Sequence, residues 1–201
     1  MAEEIEMKLA VPSEVELDEV RAVCSFLSGD GGNHIKMKAC YFDTEDDAMQ
    51  ASRLAYRTRS ENGRWVATLK GSGTSEGGLH RRMEIERDVT DGEANLAVFD
   101  GTEGEELLLP YRDADLVPIV ETNFTRTVWT LRDATAQIEI ALDEGEILAG
   151  GKSAPIRELE LEFKSGDMEA LQSLSSWLQK QLGVVEENQS KFARGLALRC
   201  G

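Results

Sequence analysis

The chain has 201 residues, of which 41% are hydrophobic and 30% charged, and its formal net charge is −16. This length and composition suit one domain with a substantial core, and the acidic balance argues against nucleic acid, whose phosphates bind basic surfaces. No apolar run approaches the roughly 20 residues of a membrane helix, and the charged N-terminus lacks the apolar stretch of a signal peptide, so we expect a cytoplasmic protein without a membrane partner.

Alternation of apolar and polar residues predicts strands along much of the chain. The first covers Glu4 to Leu9, and a helix follows it, with Ser13 and Glu16 as a capping box and an apolar stripe that reaches Leu27. The same two-residue period predicts further strands at 65–70, 82–89, 138–143 and 158–163.

The segments between and after these strands have other compositions. Gly71 to Gly78 is rich in glycine and serine, which predicts a flexible loop, and the acidic stretch from Asp91 to Pro118 predicts an excursion with one or two short helices. Asp167 is a good N-cap for a second helix that ends at Gly183, and a short helical stretch follows at 190–198. Strands outnumber helices, which indicates the α+β class with a large antiparallel sheet.

The polar faces of the strands carry mostly ionised side chains. A sheet with one wet face would show this without any binding site, and periodicity alone leaves that interpretation open. Like charges that share a strand face argue against it, because they repel unless an opposite charge lies between them. Arg57 with Arg59 would be reconciled by phosphate, and Glu158 with Glu160 by a divalent cation.

Cysteine and histidine usage narrows the kind of metal. The three cysteines are scattered and fit neither a disulfide framework nor a zinc spacing, and there are only two histidines. A metal would therefore be bound mainly by oxygen atoms, which indicates magnesium or manganese.

Short charged motifs follow one another along the chain. Glu4-Ile5-Glu6-Met7-Lys8 is an ExExK motif, and Arg57-Thr58-Arg59 is an RxR motif. The others are YFDT at 41–44, TLK at 68–70, RME at 82–84, FTR at 124–126, ExxxD at 139–143, ELE at 158–160 and SKFARG at 190–195. Their order resembles that of the CYTH superfamily of triphosphate tunnel metalloenzymes. The resemblance spans essentially the whole chain, so we expect one such domain over 1–201.

The resemblance implies a closed antiparallel eight-stranded β-barrel with flanking helices, whose interior is a charged tunnel. It also implies hydrolysis of a triphosphate with one or two Mg²⁺ or Mn²⁺ ions. The metal ligands it implies are Glu4, Glu6, Glu158 and Glu160. The phosphate-binding residues it implies are Lys8, Arg57, Arg59, Lys70, Arg82, Arg126, Lys191 and Arg194. The catalytic residues it implies are Glu4, Glu6, Lys8, Glu84 and Asp143.

Glu84 and Asp143 have less defined roles in this scheme: they would orient basic residues, help to hold a second metal or position water. The alternative for every one of these residues is a solvated charge or surface ion pair. We interpret Tyr41 as part of a structural turn and His80 as an exposed loop residue. Glu162 is expected nearer the mouth of the tunnel.

Substrate choice is not set by the tunnel, since the family includes inorganic, thiamine and RNA triphosphatases and class IV adenylyl cyclases. Thiamine triphosphatases of the animal type place a Trp where this chain has Ala55. The stretches GLHRRME, IEIALDEGEI and ELELE resemble bacterial inorganic triphosphatases in which this domain precedes a helical CHAD domain. Whether a CHAD domain follows in a longer parent chain is left open.

Hydrolysis of inorganic triphosphate (tripolyphosphate) to pyrophosphate and phosphate is therefore the leading hypothesis, with a small molecule as the only substrate and no nucleic acid. One alternative is a class IV-type adenylyl cyclase or a thiamine or nucleoside triphosphatase. The other is a non-catalytic module that binds polyphosphate or nucleotide.

Overall fold

The structure, a computed structural model, describes residues 3–132 and 134–200, and of Glu3 only the backbone. Both ends of the predicted 1–201 domain lie outside the described residues. The barrel strands are β1 (Glu3–Ala10), β2 (Asn33–Thr44), β3 (Ala55–Glu61), β4 (Arg64–Glu76), β5 (Leu79–Val89), β6 (Leu116–Arg132), β7 (Ala136–Ala149) and β8 (Lys152–Gly166).

These eight strands pair antiparallel in the order β5-β4-β3-β2-β6-β7-β8-β1, and β1 also pairs with β5. This last pairing closes the sheet, so the predicted eight-stranded barrel is confirmed. β1 forms the closing seam because it is shared: Glu3–Met7 pair with β5 and Glu6–Ala10 pair with β8. A two-residue strand, β9 (Val185–Glu186), pairs with the end of β1.

Helices pack on the outside and at one end of the barrel. They are α1 (Leu17–Ser28), α2 (Ala48–Ala51), α3 (Glu105–Leu108), α4 (Met168–Leu182) and α5 (Lys191–Cys200), with 3₁₀ turns at Leu96–Phe99 and Leu109–Tyr111. Both turns and α3 lie in the acidic excursion, so this stretch has three short helical elements where one or two short helices were predicted. None of the helices in the described ranges is long and apolar enough to cross a membrane.

Most of the apolar core lies between the barrel and the helices, and a smaller cluster that includes Ala39 and Tyr41 lies on the inner face beside α5. Leu9, Ile140 and Leu159 are fully buried in a cluster that includes residues of α1 and α4. Because neighbouring strand residues face opposite sides, this outer packing turns the alternating charged residues into the tunnel.

The ends of α4 agree with prediction, while the start of α1 does not. Asp167 accepts a hydrogen bond from the Glu169 backbone N–H at 3.0 Å, and Gly183 ends α4. The predicted capping box before α1 is wrong, since the helix begins at Leu17 and Glu16 makes no side-chain cap. The Arg157 guanidinium instead donates to the Val15 carbonyl oxygen at 2.6 Å, which holds this segment as a turn.

The glycine-rich segment 71–78 is mostly strand, so the predicted loop is wrong. β4 continues to Glu76 across a bulge between Lys70 and Gly73, and only Gly77 and Gly78 form the turn to β5. A Cβ at Gly73 would lie 2.2 Å from the Arg81 carbonyl oxygen. Glycine is needed there because two backbones approach closely, which local composition does not reveal.

His80 was predicted to be exposed, and this is also wrong. The residue lies on β5, is 5% exposed, and its Nε2 is 3.0 Å from the Glu187 carbonyl oxygen. The segment after α4 covers it, and that contact joins residues 107 positions apart.

Candidate active site in the tunnel

The inner face of the barrel lines two adjoining cavities. They share residues at their boundary, among them Glu4, Glu6 and Glu160. The first cavity is also lined by Lys191 and Phe192 at the start of α5, and the second extends toward the opposite mouth. We call the first cavity the basic half of the tunnel and the second the acidic half.

The basic half contains more cations than carboxylates. Seven cationic side chains line it beside the three boundary carboxylates. These cations are Lys8, Arg57, Arg59, Lys70, Arg82, Arg126 and Lys191. In a chain with a net charge of −16, such a local excess of positive charge favours a small, highly charged anion.

Glu4 and Glu6 are held at the boundary by cations of neighbouring strands. Glu4 Oε2 accepts hydrogen bonds from Lys70 Nζ and from Arg82 Nε, both at 2.9 Å. Glu6 Oε1 accepts one from Arg82 Nη2 at 2.9 Å and lies 2.9 Å from Lys8 Nζ. Burial alone would raise the pKa of Glu4, but the charges of Lys70 and Arg82 outweigh it and lower the pKa. Glu4 is therefore ionised.

Three carboxylates of β7 and β8 converge beside the boundary. Oxygen atoms of Asp143, Glu158 and Glu160 lie within 4.8 Å of one another. Lys191 Nζ is 2.7 Å from Asp143 Oδ2 and 3.0 Å from Glu160 Oε1, and it also donates to Glu158. Burial raises the pKa of Glu158, and the charge of Lys191 opposes this only in part. At Glu160 the effect of burial is outweighed by Lys191, Lys8 and Arg126 together, which lower its pKa well below the usual range.

Two further cations tie these carboxylates to the rest of the site. Lys8 donates to Glu160 and lies beside Glu6, so it bridges β1 and β8 across the closing seam. Arg126 binds Asp143 through two parallel hydrogen bonds of 2.7 Å and also donates to Glu160. Arg126 therefore links the buried Asp143 to Glu160 on the tunnel lining.

Arg57 and Arg59 differ from the other cations because part of each guanidinium has no partner. Among the described residues, nothing accepts a hydrogen bond from the buried Nε of either side chain. Arg57 Nη2 is 3.6 Å from its nearest carboxylate oxygen, on Glu84, and Nη1 donates to the Tyr41 hydroxyl at 3.2 Å. Buried donors without acceptors are unfavourable, so these two arginines point to an anionic ligand.

Tyr41 belongs to this site, which the sequence interpretation missed. It is 5% exposed, lines the basic half, and its ring stacks on Phe192 with centroids 4.8 Å apart. Burial would raise its pKa, but Arg57 and then Lys70 lower it. Alternation along β2 carried the signal, because the exposed Lys36 and Lys38 place the intervening positions on the inner face.

The acidic half has the opposite balance. Eight carboxylates and three cations line it, counting the shared boundary residues. Lys164 Nζ is 2.7 Å from Glu162 and 3.8 Å from Glu139. Glu84 lies where this half meets Lys70, 3.0 Å from its Nζ. Burial raises the pKa of Glu84 even though the charge of Lys70 opposes the shift. This half would repel phosphate.

A model of the CYTH domain matches residues 2–196. The chain belongs to the CYTH family. An inorganic triphosphatase of Haemophilus influenzae is 30% identical over 202 residues, which cover 98% of this chain and 55% of that protein. This chain thus spans about half the length of the curated relative it matches.

Solved structures share the CYTH fold. A Hippeastrum protein described as having a dominant triphosphatase activity has a TM-score of 0.73 and 20% identity, with 98% of this chain and 96% of that one covered. A candidate adenylate cyclase from Bacillus halodurans has a TM-score of 0.58 and 20% identity, with 94% and 96% covered. At these identities the likeness shows the fold alone.

The folded barrel brings most of the predicted site residues of the CYTH motifs together in the basic half of the tunnel. Glu84 lies in the acidic half, and Asp143 and Glu158 are fully buried behind the lining. Arg194 approaches from α5, donating to Glu158 Oε2 at 2.8 Å and to the Pro155 carbonyl. The other ten line the basic half: Glu4, Glu6, Lys8, Arg57, Arg59, Lys70, Arg82, Arg126, Glu160 and Lys191. Their individual roles stay predictions.

Proposed function

We propose that this chain hydrolyses inorganic triphosphate to pyrophosphate and phosphate in the basic half of the tunnel. The observation that carries the proposal is the pair of buried, unpartnered Nε donors on Arg57 and Arg59, beside ionised carboxylates at the boundary. Arginine donors match phosphate oxygens. The similarity to an inorganic triphosphatase supports the choice of substrate.

The phosphate chain would be bound by cations that are already in place. Arg57 and Arg59 would donate guanidinium N–H groups, and Lys70 and Arg82 would contribute charge from β4 and β5. Because these cations are held by carboxylates before the ligand arrives, little reorganisation is needed when negative charge develops on the transferring phosphoryl group. Arg126, Lys8 and Lys191 complete the predicted set.

The donor set fits the divalent metal that the CYTH family implies. Glu4, Glu6 and Glu160, which line the cavity, and Glu158, which lies just behind the lining, would hold it, since carboxylate oxygens are the ligands that magnesium and manganese prefer. When bound, the ion would offset phosphate charge and lower the pKa of a water molecule that attacks phosphorus. Lys8 lies between Glu6 and Glu160 in the structure, so a cation already occupies part of this space.

The remaining predicted residues would act by orienting these groups. Glu84 holds Lys70 and faces Arg57, and Asp143 fixes the plane of Arg126 through two hydrogen bonds. Both would keep basic groups aimed at the phosphates. Water is the nucleophile in this scheme, so no side chain forms a covalent intermediate.

The test is orthophosphate release from tripolyphosphate with magnesium or manganese, compared with ATP, thiamine triphosphate and pyrophosphate. We expect preferential turnover of tripolyphosphate that stops on addition of EDTA and returns with excess metal. Cyclic AMP formed from ATP without orthophosphate would favour the cyclase alternative. Tight binding of tripolyphosphate without turnover would favour the non-catalytic module. Either result would overturn the proposal.

Two wider features are proposed with this function. The first is the cytoplasmic location that the sequence leads us to expect. The second is a C-terminal CHAD domain in a longer parent chain, which accords with the length of the Haemophilus influenzae relative.

A further inference from the structure

The basic half of the tunnel ends at an aromatic pair. Tyr41 on the inner face of β2 stacks on Phe192 in the first turn of α5, with an interplanar angle of 19°. The pair adjoins the cations, since Arg57 lies over the Tyr41 ring at 5.9 Å from its centroid and Lys191 precedes Phe192. The two rings therefore stand directly beyond the proposed phosphate-binding groups.

The position of Phe192 is set by close packing of α5. A Cβ at Gly195 would lie 2.3 Å from Val120 Cγ1, so the helix backbone approaches β6 as closely as glycine allows. Leu196 packs in the same apolar cluster as Val120, and this cluster also contains Tyr41 and Phe192. Phe192 is thus carried by a firmly seated helix and is not a free side chain at the barrel end.

Charge gives a direction to a triphosphate in this space. Three of the four carboxylates that would hold the metal, Glu4, Glu6 and Glu160, line the boundary with the acidic half, so the phosphoryl group under attack would lie there. The chain then extends through Arg57, away from the repelling carboxylates of the acidic half. Its other end would reach the Tyr41–Phe192 pair. An organic substituent on that end would therefore have to extend past the two rings.

We propose that the Tyr41–Phe192 pair determines specificity by blocking triphosphates that carry an organic group on the far end. The inference rests on the proposed function and deepens it. Tripolyphosphate ends in oxygen atoms that the neighbouring cations can bind, whereas a nucleoside triphosphate must displace two stacked rings. Tyr41 also positions Arg57, because its hydroxyl accepts a hydrogen bond from Nη1.

The experiment compares kcat/KM for tripolyphosphate and ATP in Phe192→Ala. We expect the preference for tripolyphosphate to fall at least about tenfold, the range that one missing group in a specificity pocket changes, through improved use of ATP. If the substitution only disturbed the neighbouring Lys191, kcat/KM would fall for both substrates by the same factor, and their ratio would stay unchanged. Tyr41→Phe should keep the ratio within about threefold, since the stack remains while the hydroxyl is lost.

Leu196→Ala is the matched control, because Leu196 packs in the same cluster and its loss weakens the seating of α5 while both rings keep their side chains. An unchanged ratio in Phe192→Ala, or an equal fall in both variants, would overturn the inference. Calorimetric measurement of Kd for tripolyphosphate and for ATP gives the corresponding preference in binding, without any need for turnover. If the wild-type protein binds but does not hydrolyse tripolyphosphate, the proposed function fails, and the affinity ratio still decides the role of the pair.

Discussion

The two halves of the tunnel are built on the same strands but have opposite character. On β3, Arg57 and Arg59 face the basic half and Glu61 faces the acidic half. On β8, Glu160 lies at the boundary, while Glu162 and Lys164 lie beyond it. A ligand therefore meets a gradient of charge along the barrel axis. The net charge of the whole chain does not indicate what the tunnel binds.

This contrast suggests substitutions in matched pairs, with one residue at the proposed site and one of the same type away from it. If only the basic half and the boundary bind substrate, the substitution at the proposed site should lower activity much more than its partner in each pair. If charge anywhere in the tunnel is sufficient, the members of each pair should behave alike.

The largest effect is expected for the carboxylates Glu6 and Glu162. Glu6→Gln should lower kcat by at least about 100-fold. Loss of a residue that only orients a metal ligand already costs about 10- to 100-fold, and loss of the ligand itself should cost more. Glu162→Gln should change kcat less than about threefold, since Glu162 is partly exposed and pairs with Lys164. Steady-state phosphate release at saturating metal measures both, and similar losses in the two variants would contradict the division into halves.

The next effect is expected for Arg57, with Arg64 as its control. Arg57→Gln should weaken transition-state binding by about 2 kcal/mol, or roughly 30-fold in kcat/KM, as loss of a charge-assisted hydrogen bond does. Arg64 is 61% exposed and pairs with Asp88, so Arg64→Gln should leave kcat/KM within about twofold. A full-activity Arg57→Gln enzyme would remove the main support for the phosphate site.

A smaller effect is expected for the lysines Lys70 and Lys164. Lys70 is nearly buried between Glu4 and Glu84 in the basic half, and Lys70→Gln should raise KM for tripolyphosphate by about tenfold. Lys164 lies among carboxylates of the acidic half. Lys164→Gln should leave KM unchanged, and a tenfold rise there would show that the acidic half also contributes to binding of tripolyphosphate.

Much of the barrel was predictable because its signals are local. Period-two alternation located β1, β5, β7 and β8, and Asp167 with Gly183 bounded α4. The errors arose where a distant segment decided the outcome. Gly73 is a strand residue because of Arg81 across the bulge, and His80 is buried by the segment near Glu187.

The candidate site was predictable to a lesser degree. The motif residues and their inward faces followed from the resemblance and from alternation, which groups Glu4 with Glu6 and Arg57 with Arg59. Tyr41 was missed because its motif resembles a turn, whereas its position on β2 directs it inward beside Phe192.

By itself the sequence determined the strands, their charged faces and the family, because each depends on neighbouring residues and on motif order. Only the tertiary structure decided how the charges are distributed between two halves, which guanidinium donors lack partners, and what ends the basic half. These features depend on pairing across the closed barrel, such as the contact between Lys8 and Glu160, 152 positions apart. Closure brings such residues together because each strand must satisfy its hydrogen bonds on both edges.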